Sequence, residues 1–437
     1  MKVLKFGGAS LVSSERIKDV ATLIQKSRQN LIVLSAMSGT TNTLIEIADY
    51  LYKKNPDGAN EIINQLEQKY TLHCHELFQT EEYVRQALEL LKSHFDYIRS
   101  FTKDLFTLFE EKVVIAQGEL LSTMLLQLYL QEQGVKSVII PAIEFMRTDK
   151  NAEPDVLYIK EKLQKKIEQH PEADVYLTEG FICLNAYGEI DNLKRGGSDY
   201  SASLIGAAIG AEEIQIWTDI DGMHNNDPRY VENTSPVRNL HFEEAAELAY
   251  FGAKTLHPTC ILPAKLANIP VRLLNTLEPE VPGTLISNQS EKGTIKAVAA
   301  KDNITAIKIK SGRMLLAFGF LRKVFEIFES YRTPIDMIVT SEVGVSVTID
   351  NDKNLGEIIN DLKKYGTVTV ETDMVIVCVV GDLEWKNIGF ETKALDALKN
   401  IPVRMISYGG SNYNISFLIK AEDKKETLQK LSENLFN

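Results

Sequence analysis

The chain of 437 residues is 44% apolar and 25% charged, with a formal net charge of −12. That length exceeds what one hydrophobic core organises, so two or three globular domains are expected. The acidic balance argues against nonspecific nucleic-acid binding and does not exclude anionic small molecules, since a local cluster of Arg and Lys can dominate a site.

Val3 to Phe6 reads as a short apolar strand running into Gly7-Gly8-Ala9-Ser10, without a signal-peptide pattern. Lys5 is either a solvated edge residue or an ammonium aimed at phosphates over a loop that Gly7 and Gly8 keep thin. A helix through Ile17, Val20 and Ile24 follows, then a buried-type strand over 31–36 ending in Met37-Ser38-Gly39-Thr40-Thr41-Asn42. This is a βαβ pattern with small-residue loops after its strands, where α/β sheets place ligands.

From Leu44 to Lys112 the spacing is helical, broken at Asn55-Pro56-Asp57-Gly58, and reads as a helical insertion without a site. His73-Cys74-His75-Glu76 holds metal-ligand types but no distant partners, and reads as a solvated helix face. No apolar run reads as long enough to span a bilayer. Residues 113–118 lead into a helix over 120–130, with Glu119 at its start, where the dipole favours an acid and a ligand amine would be its functional partner.

Strands are expected over 138–141 and 175–181, on either side of a charged helix over 158–169. The second leads to Leu193-Lys194-Arg195-Gly196-Gly197-Ser198-Asp199-Tyr200 and a small-residue helix. Paired glycines allow close backbone approach, Ser198 and Asp199 fall where an N-cap belongs, and a helix start suits an anion. Arg195 adds a forked donor. Taken alone, this stretch is also compatible with an ordinary capped turn. A strand over 214–219 then carries Asp219 to its end, before a turn-rich loop through Asp227-Pro228-Arg229. His257 beside Pro258 reads as structural, and Val271 to Asn275 completes the sheet. Cys74, Cys183, Cys260 and Cys378 show no paired spacing, which fits a reducing cytoplasm.

Beyond Pro282-Gly283 one unit occurs twice. Strand 304–309, helix 321–331, strands near 335–339 and 343–349, helix 355–365 and strand 367–370 form the first copy. Strand 374–380, helix 392–399, strands near 403–406 and 413–419, and helix 424–435 form the second. The second copy lacks a closing strand, and Ile295-Lys296-Ala297-Val298-Ala299 is expected to supply it from before the first.

Lys5-Phe6-Gly7-Gly8, Ser38-Gly39-Thr40-Thr41-Asn42, Gly118-Glu119, Arg195 through Tyr200, Trp217-Thr218-Asp219, Asp227-Pro228-Arg229 and Phe251-Gly252-Ala253-Lys254 occur in this order. Together they resemble the aspartate kinases of the amino-acid-kinase family. The C-terminal third resembles the tandem ACT repeats of that group's lysine-sensitive, monofunctional branch. The resemblance implies an α/β chain with an amino-acid-kinase domain over 1–285, a three-layer sheet sandwich with a helical insertion. A linker and completing strand over 286–303 and two ferredoxin-like (βαββαβ) ACT domains over 304–372 and 373–437 would follow.

It also implies ATP-dependent phosphorylation of the β-carboxylate of L-aspartate, the first step of lysine, threonine and methionine biosynthesis. Lys5 and Asp199 would be catalytic, Lys5 stabilising charge on the transferring phosphate and Asp199 holding Lys5. Thr41, Glu119, Arg195 and Ser198 would bind aspartate, Arg195 at its α-carboxylate and Glu119 at its α-amine. Gly7, Gly8, Gly197, Thr218, Asp219, Arg229 and Lys254 would bind ATP, with magnesium on the phosphates and no metal site of the protein's own. Met314, Gly319, Phe320, Leu321, Ile335, Asp336, Ser341, Glu342 and Val343 would form an effector pocket for L-lysine. A cytoplasmic homodimer or homotetramer joined through ACT domains is implied, with no nucleic-acid or membrane partner. The chain departs from the family pattern at Ala9, Lys194, His224 and Ala317. Rival readings are a kinase for another small amino acid and a catalytically silent amino-acid-binding regulator. The pairing of Arg195 with Glu119 weighs against the first, and Lys5, Asp199 and Arg195 together against the second.

Overall fold

The computed structural model describes residues 1–26, 29–103, 105–193, 196–252, 256–311 and 318–436. In chain order the first part holds β1 (Val3–Phe6), α1 (Ser14–Gln25), β2 (Asn30–Leu34), α2 (Thr40–Tyr52), α3 (Pro56–Leu77), α4 (Glu81–Ser100) and α5 (Leu108–Glu132). Next come β3 (Ser137–Ile139), α6 (Val156–Glu168), β4 (Val175–Glu179), β5 (Ile182–Leu184), β6 (Ile190–Asn192), α7 (Gly197–Ile209) and β7 (Ile214–Thr218). Then follow β8 (Asn239–His241), α8 (Phe242–Tyr250), α9 (Leu262–Leu266), β9 (Val271–Asn275) and β10 (Thr284–Ser287). The C-terminal part holds β11 (Ile295–Lys310), α10 (Phe320–Ser330), β12 (Ile338–Ser341), β13 (Gly344–Ile349), α11 (Leu355–Leu362) and β14 (Thr367–Gly381). It ends with α12 (Phe390–Ala397), β15 (Met405–Tyr408), β16 (Asn414–Lys420) and α13 (Lys424–Phe436).

Contacts divide the chain into two units, Met1–Met223 with Leu256–Asn288, and His224–Thr255 with Gln289–Asn437. Residues 224–255 thus group with the C-terminal unit, a division the sequence pattern does not signal.

In the first unit β3, β4, β2, β1, β7 and β9 are successive parallel neighbours, and β10 adds an antiparallel strand beside β9. The sheet therefore does not end at β9. Side chains alternate across a strand. Leu4 and Phe6 of β1, with Ile32 and Leu34 of β2, enter a core shared with α1 to α5. Lys5 consequently faces the other side, where α7 packs on β1. Because β1 has β2 on one side and β7 on the other, Lys5 is not an edge residue.

The expected lead-in at 113–118 and helix at 120–130 are one helix, α5, opened by a capping box of Thr107 and Glu110. Gly118 is no break: a Cβ there would lie 2.8 Å from the Ala36 Cβ, so the helix needs glycine to pass the loop after β2. Contrary to the sequence reading, α5 is long and apolar enough to cross a bilayer by length and composition. Its apolar window is 78% buried in the fold, which makes it a core helix.

In the second unit β12, β13, β11, β14, β16 and β15 form one antiparallel sheet. Two long strands organise it. Residues 304–310 of β11 lie between β13 and the start of β14, while 295–301 pair with 376–381, the part of β14 that also carries β16. Each repeat thereby has four strands, and the strand from before the first repeat closes the second. Both long strands bend where the repeats meet, at Asn303 (φ 60°) and Asp373 (φ 56°), residue types that tolerate the left-handed region. Val375, Val377, Phe417 and Leu428 centre one core, and Ile307, Val324, Phe328 and Val347 the other.

Candidate active site

Strand order runs away in both directions from β1, and open α/β sheets bind ligands beyond the strand ends at such a point. A cavity of about 330 Å³ opens there, all of it in the first unit, and Lys5, Gly8, Thr41, Glu119, Gly197, Ser198 and Asp199 line it. The structure therefore gathers seven of the expected site residues from four separate stretches of chain.

Lys5 Nζ lies 2.6 Å from Asp199 Oδ1, with both side chains mostly enclosed, 12% and 14% exposed. Asp199 sits in the first turn of α7, where a negative charge is favoured. The N-cap is Gly196, at φ 73°, and neither Ser198 nor Asp199 caps the helix. The reason is tertiary. A Cβ at Gly196 would lie 2.6 Å from Cys260 Sγ and 2.8 Å from His257 Cβ, so the turn is squeezed by the following loop. Ser198 and Asp199 are thereby released to face the cavity. Gly197 is equally confined, since a Cβ there would meet the Phe181 ring at 2.3 Å. His257 is structural: its Nδ1 accepts the Thr259 N–H and caps the short turn at Pro258–Ile261.

Glu119 lies in the middle of α5, 4% exposed, and not at a helix start. Its Oε1 accepts the Ala36 N–H at 3.3 Å. Its Oε2 is buried with no hydrogen-bond partner among the described residues. Burial pushes its pKa up to about 7; the Ala36 N–H opposes this and the nearby Glu179 carboxyl adds to it. Such an orphaned carboxylate oxygen is costly unless a cation arrives.

The nucleotide residues are less closely gathered. The Gly7 N–H is already donated to the Trp217 carbonyl at 3.2 Å, so it extends the β1–β7 ladder and is not open to phosphate. Gly8 is held close, a Cβ there coming 2.9 Å from the Ala36 carbonyl oxygen. Thr218 and Asp219 stand at the end of β7 beside β1, with the Thr218 hydroxyl donating to Asp219 Oδ1 at 3.0 Å. Arg229 belongs to the second unit, its guanidinium held by Asp227 at 2.6 Å. Arg195, Lys254 and Met314 lie outside the described residues.

Sequence reasoning missed Phe181, which lines the cavity at φ 69°. Its N–H donates to Ser201 Oγ and its carbonyl accepts the Leu193 N–H, which hold this bulky residue in an uncommon conformation. A strand ending in Glu179-Gly180-Phe181 just before the glycine pair was the available signal.

A model of the amino acid kinase family matches residues 1–275. Aspartokinase 1 of Arabidopsis thaliana, a chloroplastic protein, is 35% identical over 99% of this chain and 80% of its own length. The chain belongs to the amino acid kinase family. Two crystal structures of aspartokinase III from E. coli cover 100% of this chain and of their own. The complex with aspartate and ADP, an R-state, aligns with a TM-score of 0.85 at 31% identity. The complex with lysine and aspartate, a T-state, aligns at 0.81 and 32%. An ACT-domain model matches residues 377–435, within the second repeat.

In this family member two of the expected effector groups, around Asp336 and around Glu342, lie apart along one strand. Gly319, at φ 85°, opens α10, with Phe320 buried and Leu321 partly exposed. Ile335 and Asp336 precede β12, whereas Ser341, Glu342 and Val343 follow or end it. Extended backbone rises about 3.3 Å per residue, which puts the two groups well over 10 Å apart. Asp336 Oδ1 is also engaged already, by Lys301 Nζ and by the Tyr250 hydroxyl, each at 2.7 Å. Burial pushes the Asp336 carboxyl above its usual range, against the lowering effect of Lys301 and Tyr250. Lys301 is shared with Asp350 at 2.9 Å.

Proposed function

We infer that this chain is an aspartate kinase, an ATP:L-aspartate 4-phosphotransferase. The observation that carries the reading is a buried Glu119 oxygen, unpartnered among the described residues, in the same cavity as the Lys5–Asp199 ion pair. A cavity with an uncompensated acid suits a substrate ammonium, and an ammonium held by a carboxylate suits a transferring phosphoryl group.

The β-carboxylate is ionised at neutral pH, so its oxygen attacks the γ-phosphorus without a general base. ADP leaves as the new P–O bond forms. Catalysis then rests on in-line positioning and on neutralising charge. Lys5 takes the growing charge on the phosphoryl oxygens, and Asp199 fixes the ammonium and its direction. Glu119 holds the α-amine, Thr41 and Ser198 orient carboxylate oxygens, and Arg195 is the proposed clamp on the α-carboxylate. Gly8 and Gly197 bring backbone close to the phosphates, while Thr218, Asp219, Arg229 and Lys254 remain nucleotide contacts on resemblance.

Magnesium would come on the phosphate oxygens. The hard carboxylate donors at this sheet edge, Asp199 and Asp219, suit it, and the described residues hold no group of three or more His, Cys, Asp or Glu that would cage an ion. When bound, it supplies charge neutralisation of the β- and γ-phosphates.

For regulation, the proposed effector is L-lysine, acting through Asp336, Glu342 and the start of α10. The separation of Asp336 from Glu342 along β12 favours a pocket completed by a second copy. Exposed Phe318, Leu321 and Phe325 around the start of α10 and Val339 of β12 favour a homodimer or larger assembly through the ACT repeats. Four buried, unpaired cysteines fit a cytoplasmic location.

The test is aspartyl-phosphate formation from ATP, magnesium and aspartate, trapped as the hydroxamate. Hydroxamate formation supports the reading. Folded protein that forms none, or that accepts glutamate in preference, overturns it.

A further inference from the structure

Among the described residues the helical insertion contributes none to the cavity wall, yet two adjacent residues of α3 reach the loop that does. Lys69 Nζ donates to the Ser38 carbonyl at 3.2 Å, and the Tyr70 hydroxyl shares a hydrogen bond with Thr40 Oγ1 at 2.9 Å. These contacts flank Gly39, whose φ of 82° starts α2, and stand immediately before Thr41. We propose that Lys69 and Tyr70 are positioning residues for the aspartate-binding turn Ser38–Thr41, an inference that rests on the aspartate kinase reading.

Among the described residues, four side-chain contacts fasten the loop after β2. From α5, Ser122 Oγ donates to the Ser35 carbonyl at 2.8 Å and Glu119 accepts the Ala36 N–H. From α3 come the Lys69 and Tyr70 contacts. The first pair fixes the base of the loop and the second its tip, where Thr41 meets substrate. Thr40 is fully buried, with its methyl side toward Gly118 and its hydroxyl toward Tyr70, so one side chain ties α2 to both α3 and α5.

Packing alone does not require a phenol at position 70. Tyr70 is 0% exposed, sits edge-on to Phe95 with ring centroids 6.0 Å apart, and belongs to an apolar core that phenylalanine would fill equally. A buried hydroxyl is costly without a partner, and Thr40 Oγ1 is that partner. The pair is therefore specific to the turn. A substrate ammonium drawn to Glu119 and a carboxylate oriented by Thr41 need that turn in one place, and small displacements of a binding group lower affinity steeply.

Tyr70→Phe, Thr40→Val, Thr40→Ser and Lys69→Met variants of the full chain test this in the hydroxamate assay. Loss of one such hydrogen bond corresponds to roughly a five-fold change. Tyr70→Phe, Thr40→Val and Lys69→Met should each raise KM for aspartate by about that factor, with KM for ATP and kcat within about two-fold of wild type. Tyr70→Phe combined with Thr40→Val should be no worse than either alone, and Thr40→Ser should keep the wild-type KM. Unchanged KM for aspartate with a lowered melting temperature overturns the inference, because the contacts would then serve only the core. Parallel loss of affinity for both substrates overturns it also. Wild-type protein that forms no aspartyl phosphate overturns the functional reading, and this inference with it; active wild type with an unmoved KM overturns this inference alone.

Discussion

Two buried carboxylates, one in each unit, are raised above their usual pKa by the same cause and treated in opposite ways by the fold. Each keeps one oxygen without a hydrogen-bond partner among the described residues, Glu119 Oε2 and Asp336 Oδ2. The difference is that Asp336 Oδ1 is met by the Lys301 ammonium and the Tyr250 hydroxyl, whereas Glu119, in its cavity, has only the Ala36 N–H. An unbalanced charge in a cavity leaves affinity to be realised when a cation binds. A charge balanced from within obliges any incoming ammonium to displace or share the resident one. On the proposed roles, an aspartate ammonium would meet an uncompensated acid at Glu119, and an effector ammonium would have to compete with Lys301 at Asp336.

The largest effect is expected at Lys5. Lys5→Ala should lower kcat by at least 10²–10³-fold, the range for losing one charge-stabilising donor, while the far-ultraviolet circular dichroism stays that of the wild type. Near-normal turnover would remove Lys5 from the chemistry.

Glu119→Gln should raise KM for aspartate by roughly 30-fold or more, as expected when one side of a buried ionic contact is removed. Its effect on stability should run the other way. The folded carboxyl titrates at about 7, above the ordinary 4.5, so between those values the folded chain binds more protons than the unfolded one. Stability therefore falls as pH rises through that window and is lowest above it, by up to about 3 kcal/mol. The variant lacks this loss, so at pH 8 its melting temperature should equal or exceed that of the wild type. A marked drop in melting temperature would mean that the acid has a structural partner.

Lys301→Met sharpens the regulatory half. With the resident ammonium gone, half-maximal inhibition should need several-fold less lysine, since a buried, charge-assisted contact no longer has to be displaced. Inhibition that weakens or disappears instead would make Lys301 part of the pocket.

Much of this arrangement is legible in the sequence, for local reasons. Strand alternation places Lys5 opposite Leu4 and Phe6, and short loops after strands place Thr41, Ser198 and Asp199 at one sheet edge. The pairing of 295–301 with 376–381 is legible because the second repeat is one strand short. What is hidden depends on distant neighbours. α5 is buried on nearly all sides, so its run Val113-Val114-Ile115 lacks the one-sided periodicity that marks a surface helix, and Glu119 is misplaced to a terminus. The cap at Gly196 is decided by Cys260 and His257. Asp336 meets a lysine 35 residues away and a tyrosine 86 away, pairs that no local spacing announces.

The most direct test of the account is the number of protons released when aspartate binds the wild-type protein, measured calorimetrically in buffers of different ionisation enthalpy. If the substrate ammonium meets Glu119, binding must ionise a carboxyl that titrates at about 7. Release should then approach one proton at pH 6, about half at pH 7 and almost none by pH 8.5, with apparent affinity falling roughly ten-fold per unit below pH 7. No proton release across this range, with affinity independent of pH, would contradict the assignment of Glu119 as the acid that awaits the substrate.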